Sequence, residues 1–408
     1  MFRTLDDLAP AKRVLVRVDL NSPVERGEVQ DNKRFERHAE TLAELAAADH
    51  RIAVLAHQGR PGRDTFVDLD QHAEILSGYL DRPVTYVDSV CDEAAVAAID
   101  RLTAGDIALL ANVRRLEDEL ADRTPAGHAD SDFVRTLAPH FDAFVNDAYS
   151  TAHREHASTV GFPLVLPAYA GRVMEAEYTA NTAIQSRSFD GPVTMILGGT
   201  KSDDLIGVLQ GVEDKVDTAC LGGVIGELFL RAESHSVGYD VADLDLFDRQ
   251  WERNRDAIES VLDSRPVSIA TPIDLAYERD GERVDVSVDS IEKERPLKDV
   301  GPETVSTYVD VIENSSAVFV KGALGVFEEE PFSYGTVEVL RAIAATDAFS
   351  VIGGGDTAWA VDRYGLDPAD FDHLSIAGGA YVRALAGESL PAIDVLLRAS
   401  STDTGSDT

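Results

Sequence analysis

Short apolar runs alternate with longer amphipathic stretches along the whole chain. The runs are about five residues long and are typical of buried strands, as at 52–56 (IAVLA), 107–111 (IALLA) and 193–197 (VTMIL). The stretches between them show helical spacing, as at 35–47 and 302–313, where apolar positions recur every three or four residues. This alternation predicts an α/β protein built from parallel sheets with helices on both faces.

The residues that follow the runs differ between the two halves of the chain. In the first half the runs lead into polar and cationic side chains, whereas in the second half they lead into glycines. Pro163 and Pro167 interrupt the periodicity between the halves. We therefore expect a first domain at 1–168, a connecting helix at 169–187, a second domain at 188–399 and a disordered tail at 400–408.

The charge of the chain restricts where it can work and what it can bind. The 408 residues carry 73 Asp and Glu against 37 Lys and Arg, a formal net charge of −36, and only seven of the basic residues are lysines. Such a surface repels itself unless salt screens it, over roughly 3 Å at 1 M. The composition predicts a protein adapted to concentrated salt and argues against nucleic acid or an anionic membrane as a partner.

The cysteines and the hydropathy pattern indicate the compartment. Cys91 and Cys220 form no metal-binding or disulfide spacing, which favours a reducing environment. No signal-peptide pattern and no apolar run of about 18 residues occurs in the sequence. We expect a cytoplasmic protein without a membrane segment.

A set of cationic side chains stands at or just beyond the first-half strands. Because ligands bind beyond the carboxyl ends of strands in open α/β sheets, these groups are expected to meet at one edge. Arginine presents a planar fork that matches phosphate or carboxylate, so the set predicts a site for a small anion. The alternative for any single arginine is a pair with a surface carboxylate. The set consists of Arg34, His57, Arg60, Arg114, His153 and Arg154.

Two polar residues follow the first strand in the segment VDLNSP. Asp19 and Asn21 are candidates to accept hydrogen bonds from substrate hydroxyls. The alternative for both residues is a turn in which each side chain binds its own backbone.

The glycine turns of the second half suit a nucleotide, because backbone N–H groups at a helix start bind phosphate. In 353–357 (GGGDT), Asp356 is a candidate ligand of hydrated Mg²⁺, with a helix N-cap as the alternative, and one residue can serve both roles. The 198–201 turn (GGTK) lacks the Walker A pattern, so an ordinary tight turn remains open there. Glu328 is either a ligand of a ribose hydroxyl or a solvated loop acid.

Ten segments together resemble the phosphoglycerate kinase family, in the family's order and over residues 13 to about 390. They are RVLVRVDLNSP (13–23), Asn32-Lys-Arg34, AHQGRPG (56–62), LLANVR (109–114), VNDAYSTAHREHASTVG (145–161), ILGGTKSDD (196–204), LGG (221–223), VKGALGVFE (320–328), IGGGDTA (352–358) and HLSIAGGA (373–380).

The resemblance implies two Rossmann-like doubly wound domains joined by a hinge helix, and a monomeric glycolytic enzyme. It implies reversible Mg²⁺-dependent phosphoryl transfer between 1,3-bisphosphoglycerate and ADP, giving 3-phosphoglycerate and ATP. By motif, Arg34 and Lys201 correspond to catalytic groups. The implied triose contacts are Asp19, Asn21, Arg34, His57, Gln58, Gly59, Arg60, Arg114 and Arg154. The implied nucleotide contacts are Gly198, Gly199, Lys201, Gly222, Gly223, Glu328, Gly354, Gly355, Asp356 and Thr357, with Asp356 also the metal ligand.

Three positions depart from the family pattern. Leu205 stands where the GGxK turn often has a second lysine, four residues after Lys201. The usual Asn-Gly-Pro reads Lys321-Gly322-Ala323, which makes Lys321 a candidate for the missing cation. Tyr381 follows the glycine pair near the end of the chain, in place of a small hydroxyl residue.

Two other classes of function remain as alternatives. A dehydrogenase would suit the glycine turns, but no G-x-G-x-x-G with an acidic residue about 20 positions later follows the first strand. A non-catalytic binding protein would trap the same anion without chemistry, and turnover with ATP separates it from a kinase.

Overall fold

The structure is a computed structural model that describes residues 1–212, 214–237, 246–264, 267–291 and 295–402, without the side chains of Leu246, Asp356 and Thr402. The chain forms two compact units. The first comprises Met1–Thr179 together with the C-terminal segment from Ser389, and the second comprises Ala180–Glu388. No helix of the described residues is long and apolar enough to cross a membrane.

The first unit is built on a six-stranded parallel sheet with the order β5-β6-β4-β1-β7-β8. The central strand β1 changes the direction of the strand order, with β4 on one side and β7 on the other. The strands are β1 (Arg13–Arg17), β2 (Val24–Glu25), β3 (Glu28–Val29), β4 (Arg51–Leu55), β5 (Val84–Val87), β6 (Ile107–Leu110), β7 (Ala143–Asn146) and β8 (Ala168–Ala170), of which β2 and β3 form a separate hairpin.

The helices of the first unit follow these strands. They include α1 (Lys33–Ala47), α2 (Asp70–Leu80), α3 (Glu93–Asp100), α4 (Glu117–Leu120), α5 (Pro125–Ala129), α6 (Asp132–Leu137) and α7 (Arg172–Asn181), the last of which continues past the end of the unit at Thr179. Helix α1 begins where the Asn32 side chain accepts a hydrogen bond from the Arg34 N–H at 3.0 Å. Its apolar face, with Phe35, Leu42 and Leu45, is buried against the sheet core. The cap therefore sets where the Arg34 side chain leaves the helix.

The second unit has a six-stranded parallel sheet with the order β11-β10-β9-β15-β16-β17 and a separate antiparallel sheet with the order β13-β12-β14. Its strands are β9 (Val193–Leu197), β10 (Thr218–Leu221), β11 (Ser268–Ala270), β12 (Asp274–Arg279), β13 (Glu282–Ser287), β14 (Leu297–Val300), β15 (Ala317–Lys321), β16 (Phe349–Gly353) and β17 (His373–Ser375). Its helices are α8 (Ala183–Ser186), α9 (Ser202–Gly211), α10 (Gly223–Ala232), α11 (Leu246–Ser264), α12 (Pro302–Glu313), α13 (Tyr334–Ala344), α14 (Gly355–Arg363) and α15 (Gly379–Leu385).

The predicted α/β class and parallel sheets are confirmed, but the domain boundaries differ from those expected. The segment from Ser389 belongs to the first unit, because the Ala392 N–H donates to the Ala152 carbonyl at 3.1 Å and the Arg3 N–H donates to Ser400 Oγ at 3.2 Å. The second unit therefore ends at Glu388 and does not extend to 399.

The predicted single helix at 169–187 and the predicted tail also need correction. Two helices, α7 and α8, occupy the 169–187 range, separated at Thr182. The first three tail residues, 400–402, end the helix α16 (Pro391–Thr402). Residues 403–408 lie outside the described residues, so the prediction of disorder stays a prediction for them.

Candidate active site

The first candidate site lies where the first sheet changes direction. Segments that follow β1, β4, β6 and β7 carry most of the residues predicted for an anion site. The carboxyl ends of β1, β4 and β7 are adjacent because these strands pair in register. Such a switch point is the expected ligand position in a doubly wound sheet.

Asp19 is the centre of this site. Its carboxylate accepts from the guanidinium of Arg34 and from the hydroxyl of Ser150, and it lies 3.7 Å from His57 Nδ1. Burial alone would raise the pKa of Asp19, but the positive charge of Arg34 and the Ser150 hydrogen bond outweigh it, so the pKa is well below its usual range. Asp19 is therefore ionised and holds Arg34 in place.

Three arginines form a concentrated positive charge beside Asp19. Arg114 is buried and its guanidinium donates to the carbonyl of Gly59. Burial, followed by repulsion from neighbouring arginines that include Arg154, lowers the pKa of Arg114 to about 10. Burial and then the charge of Arg60 lower the pKa of Arg154 in the same way. Like charges held this close favour a bound anion, because it would relieve their repulsion.

The loop after β4 is held in place by hydrogen bonds from neighbouring side chains. Gly59 has φ +64°, and a Cβ there would stand 2.2 Å from the Thr65 carbonyl oxygen. The Gly59 N–H donates to the Asn21 side chain at 2.8 Å. The fully buried amide of Gln58 donates to the carbonyls of Ser22 and Thr65 at 3.0 and 3.1 Å. Asn21 and Gln58 therefore shape the loop, and their predicted substrate contacts stay predictions.

Two charged residues of this site were missed in the sequence. Arg17 has no exposed surface; its Nε donates to Ser158 Oγ at 2.8 Å and its guanidinium lies 3.1 Å from His57 Nδ1. Glu119 is equally buried and accepts from Ser158 N–H and Oγ at 2.8 and 2.7 Å. Burial raises the pKa of Glu119 while the charge of Arg17 opposes the increase. The sequence signal that could have identified Arg17 is its position inside the apolar run VLVRV.

A buried histidine links the Asp19 backbone to the start of α7. The Asp19 N–H donates to His38 Nε2 at 3.2 Å, so the ring proton lies on Nδ1 and donates to Asp147 at 2.7 Å. Asp147 also accepts from the N–H groups of Val173 and Met174 at 2.9 and 3.3 Å. Asp147 therefore both fixes the tautomer of His38 and caps the start of α7. The His38 ring in turn holds the backbone N–H of Asp19 in place.

His57 completes the first site as an uncharged group. It is buried, and burial followed by the charges of Arg17, Arg114 and Arg34 holds its pKa well below 6.5 although Asp19 opposes this. A neutral imidazole offers one donor and one acceptor. The arrangement can thus neutralise a multiply charged anion with guanidinium groups and orient it with neutral polar ones.

The second candidate site lies at the carboxyl edge of the second sheet, where β9 and β15 adjoin. Its glycine turns pack backbone against backbone: the Gly198 N–H donates to the Lys321 carbonyl at 2.9 Å, and a Cβ on Gly322 would stand 2.2 Å from the Gly198 carbonyl oxygen. A Cβ on Gly223 would stand 2.8 Å from the Gly199 nitrogen. Glycine is required here because the turns touch one another.

Gly222 shows the same crowding, since a Cβ there would meet the Leu324 side chain at 2.5 Å. Gly355, by contrast, is exposed, and no atom lies within 4 Å of its Cβ position. Gly354 has φ +106° and precedes α14, whose residue Thr357 has no exposed surface. The turn at 353–357 therefore offers an open face at the head of a helix.

The remaining predicted residues lie at or beyond this edge. Lys201 is exposed and immediately precedes α9, whereas Leu205 is buried at 2% exposure. Glu328 is exposed, and its carbonyl accepts from Arg363 at 2.9 Å. The side chain of Asp356 lies outside the described residues, so its predicted metal contact stays a prediction.

The comparisons with known proteins agree along nearly the whole chain. The phosphoglycerate kinase family profile matches residues 5–388. Phosphoglycerate kinases of Halorubrum lacusprofundi and Haloarcula marismortui are 61% and 56% identical to it; each alignment covers 97% of this chain, with 98% and 100% of the relatives.

Solved structures show the same likeness. The crystal structure of phosphoglycerate kinase from Pyrococcus horikoshii OT3 superposes with a TM-score of 0.91 at 30% identity, covering 98% of this chain and 100% of that one. The phosphoglycerate kinase from Coxiella burnetii superposes with a TM-score of 0.80 at 29% identity, with the same coverage. On its sequence, its fold and these relatives, the chain belongs to the phosphoglycerate kinase family.

Proposed function

We propose that the arginine site of the first unit binds 3-phosphoglycerate and that the glycine turns of the second unit bind ADP or ATP with Mg²⁺. The family is one of phosphotransferases that use ATP and ADP as substrates. What this proposal adds is the assignment of each substrate to named residues of this chain. The observation that carries it is the cluster of mutually repelling arginines Arg60, Arg114 and Arg154, of which Arg114 is buried and donates to the Gly59 carbonyl.

The phosphate of the triose is the best match for Arg60, Arg114 and Arg154. A phosphate carries up to two negative charges and accepts bidentate hydrogen bonds from guanidinium groups. One guanidinium N–H of Arg114 already donates to the Gly59 carbonyl, and this bond orients the remaining N–H groups. The buried Nε of Arg114 has no hydrogen-bond partner among the described residues. A bound phosphate would relieve the repulsion that lowers the pKa of Arg114 and Arg154.

Arg34 and Asp19 serve the other end of the triose in this proposal. Asp19 is an ionised acceptor suited to a substrate hydroxyl, and Arg34 is a held donor suited to the carboxylate and to the phosphoryl group in transit. The transfer of an acyl phosphate to an ADP oxygen requires no proton abstraction. Catalysis is therefore positioning and charge stabilisation, with Arg34 and Lys201 as the catalytic groups.

The nucleotide phosphates are assigned to the turns that follow β9, β10 and β16. The exposed Gly355 and the head of α14 leave N–H groups and a positive helix end for an anion. Glu328 is the candidate for a ribose hydroxyl, and Gly198, Gly199, Gly222 and Gly223 keep the turns low enough for the nucleotide to approach.

Mg²⁺ is expected to bind in the second unit together with the phosphates of the nucleotide. Among the described residues no group of three His, Cys, Asp or Glu side chains could hold a metal, and Mg²⁺ is usually held by one or two carboxylates plus substrate phosphates. The buried Thr357 hydroxyl, which has no hydrogen-bond partner among the described residues, supports a ligand at the head of α14. Asp356 is the residue that would hold the ion, which would neutralise phosphate charge when bound.

The chain is proposed to act in the cytoplasm as a monomer. Both cysteines are free thiols, which supports a reducing compartment, and the net charge of −36 makes nucleic acid an unsuitable partner.

A coupled assay tests the proposal. The protein in several molar KCl is given 3-phosphoglycerate, ATP and Mg²⁺ with a salt-tolerant glyceraldehyde-phosphate dehydrogenase and NADH. NADH oxidation that requires both substrates is the expected result. Binding of 3-phosphoglycerate without turnover, by a chain that is folded by circular dichroism, would instead make it a binding protein.

A further inference from the structure

A buried network of hydrogen bonds connects His57 to Glu119 inside the first unit. The guanidinium of Arg17 lies 3.1 Å from His57 Nδ1 and also donates to the Val18 carbonyl, while Arg17 Nε donates to Ser158 Oγ at 2.8 Å. Ser158 Oγ donates to Glu119 Oε1 at 2.7 Å. We call Arg17, Ser158 and Glu119 the Arg17 network. None of the three has exposed surface, so water does not compete for these bonds.

The direction of each bond in the Arg17 network follows from the groups that can only donate. A guanidinium has N–H donors and no acceptor, so Ser158 Oγ accepts from Arg17 and its own hydrogen points to Glu119. For the same reason His57 Nδ1 accepts from Arg17. This ring nitrogen therefore carries no hydrogen.

The other ring nitrogen of His57 carries the proton. Burial holds the pKa of His57 well below 6.5, so the ring is neutral and has a single N–H, which is on Nε2. In the other tautomer the Nδ1 hydrogen would meet the Arg17 donor, and Asp19 Oδ1 at 3.7 Å is too far away to accept it. Among the described residues Nε2 has no hydrogen-bond partner, so its N–H is available to a ligand.

Glu119 is the group that lets Arg17 remain charged in the interior. Burial lowers the pKa of Arg17, and the negative charge of Glu119 is the largest influence that opposes this change. Glu119 is itself held by the Ser158 N–H, which donates to its carboxylate at 2.8 Å. Because a buried charge needs a partner, the loss of Ser158 or Glu119 should release the Arg17 guanidinium from its place beside His57.

We propose that the Arg17 network positions His57 for catalysis, by holding it as the Nε2–H tautomer whose N–H donates to an oxygen of bound 3-phosphoglycerate. The inference rests on the proposed binding of that substrate at the arginine site of the first unit. A neutral donor complements the arginines there, since it adds a directed hydrogen bond without adding to their mutual repulsion. Arg17, Ser158 and Glu119 are thus positioning residues that act through His57.

The competing explanation is that the Arg17 network only stabilises the fold. Its loss would then lower the melting temperature without changing the His57 tautomer or the affinity for 3-phosphoglycerate. Ser131→Ala is the matched control, because it removes another buried hydroxyl of the same unit. Ser131 Oγ donates to the His128 carbonyl at 2.6 Å and accepts from the Val134 N–H at 3.4 Å.

The first experiment reads the tautomer in the full chain, with isotope-labelled histidine and in several molar KCl. Long-range proton–nitrogen correlation spectra distinguish a protonated ring nitrogen from an unprotonated one, and the His57→Gln variant identifies the signals of His57. We expect His57 of the wild-type chain to carry its hydrogen on Nε2 at neutral pH without substrate. A hydrogen on Nδ1 would overturn the inference.

Titration calorimetry with 3-phosphoglycerate measures the consequence for binding. Ser158→Ala should mix the two His57 tautomers and weaken binding about 3- to 10-fold, the range for one hydrogen bond. Ser131→Ala should lower the melting temperature but keep the wild-type tautomer and affinity. His57→Gln, whose amide reaches the place of Nε2, should bind 3-phosphoglycerate more tightly than His57→Asn, whose amide reaches only the place of Nδ1.

Each outcome decides one question. If wild type binds 3-phosphoglycerate and Ser158→Ala keeps both the Nε2–H tautomer and the wild-type affinity, the positioning role is overturned while the proposed function stands. If wild type does not bind 3-phosphoglycerate, the proposed function fails, and the donor role of His57 fails with it. If Ser158→Ala does not fold, Glu119→Gln replaces it, and equal binding by His57→Gln and His57→Asn would overturn the donor role.

Discussion

The aromatic ring of Tyr381 lies directly against Gly353, with its Cε1 atom 1.8 Å from the point where a Cβ on Gly353 would stand. Tyr381 has no exposed surface, and its hydroxyl donates to the Val320 carbonyl at 3.1 Å. The departure from the family pattern at this position therefore places a buried support under the glycine turn. Gly353 is a glycine because the Tyr381 ring packs against it, whereas no atom lies within 4 Å of the Cβ position of the exposed Gly355.

We expect Gly353→Ala to destabilise the chain by about 1–3 kcal/mol or more, because the new methyl group would overlap the Tyr381 ring. Urea unfolding in several molar KCl measures the change. The matched control is Gly207→Ala inside α9, where the Cβ position is open and helix propensity predicts a gain of about 0.5–1 kcal/mol. Equal stability of Gly353→Ala and wild type would contradict the packing seen here.

Arg34 and Arg154 are expected to differ in their kinetic effects. Arg34→Ala should lower kcat, with an increase of about two to four kcal/mol in the activation free energy. This is the size expected when a hydrogen-bond donor to the transition state is lost. Arg154→Ala should mainly raise KM, because it removes a contact to a phosphate that does not react. Steady-state kinetics with varied 3-phosphoglycerate gives both constants.

The control for these variants is Arg115→Ala, which removes an arginine that pairs with the surface residues Asp68 and Asp88. Its kcat and KM should match those of wild type, since exposed pairs contribute little. Near wild-type turnover by Arg34→Ala would sink its catalytic assignment.

Acid should destabilise the first unit through buried histidines. Burial is the leading cause that lowers the pKa of His72 to about 4 and of His156 to about 3, and it also lowers that of His57. Below pH 6.5 the unfolded chain therefore binds protons that the folded chain does not, and stability falls as the pH falls. Each histidine contributes a slope of up to about 1.4 kcal/mol per pH unit, down to its folded pKa.

His72→Gln tests this sign. Urea unfolding of His72→Gln between pH 7 and 5 at constant KCl should show a shallower loss of stability than that of wild type. An unchanged slope in His72→Gln would show that its burial does not control acid stability.

The buried Glu227 should lower the stability of the chain as the pH rises. It lies in α10 at 5% exposure, and burial raises its pKa to about 8. A carboxyl whose folded pKa is raised binds its proton more tightly in the folded state, so stability is lost as the pH rises from about 4.5 towards 8. The loss is up to about 1.4 kcal/mol per pH unit.

The variant Glu227→Gln keeps the shape and removes the titration. It should be more stable than wild type at pH 8 and nearly equal at pH 4.5, measured by urea unfolding at constant KCl. Lower stability of the variant at pH 8 would mean that the ionised carboxylate has a favourable partner.

Withdrawal of salt should unfold the chain. A net charge of −36 repels itself strongly once the screening length exceeds the spacing of surface carboxylates, as it does at roughly 10 Å in 0.1 M salt. Circular dichroism and the coupled assay from 3 M to 0.1 M KCl should show loss of structure and activity together. A fold that persists at 0.1 M KCl would refute adaptation to salt.

Local sequence patterns are enough to predict many of the strands and helices and the polar residues that follow them. Apolar runs of about five residues that alternate with amphipathic stretches predict buried strands, and helical spacing correctly predicts α1 and α12. Arg60, Arg114 and Arg154 could be assigned to one site in advance, because parallel strands bring their carboxyl ends to one edge. Each of these arginines follows its strand closely in the sequence, so a local sequence pattern is enough to predict its position.

Which charged groups are buried together depends instead on how distant segments pack. Arg17 and Glu119 share Ser158 although they lie 102 residues apart, and nothing near either residue in the sequence indicates the other. In the same way, the position of Lys321 beside Gly354 depends on the register of β15 and β16. A buried charge is tolerable only with a partner, and the partner comes from a distant segment that packing alone selects.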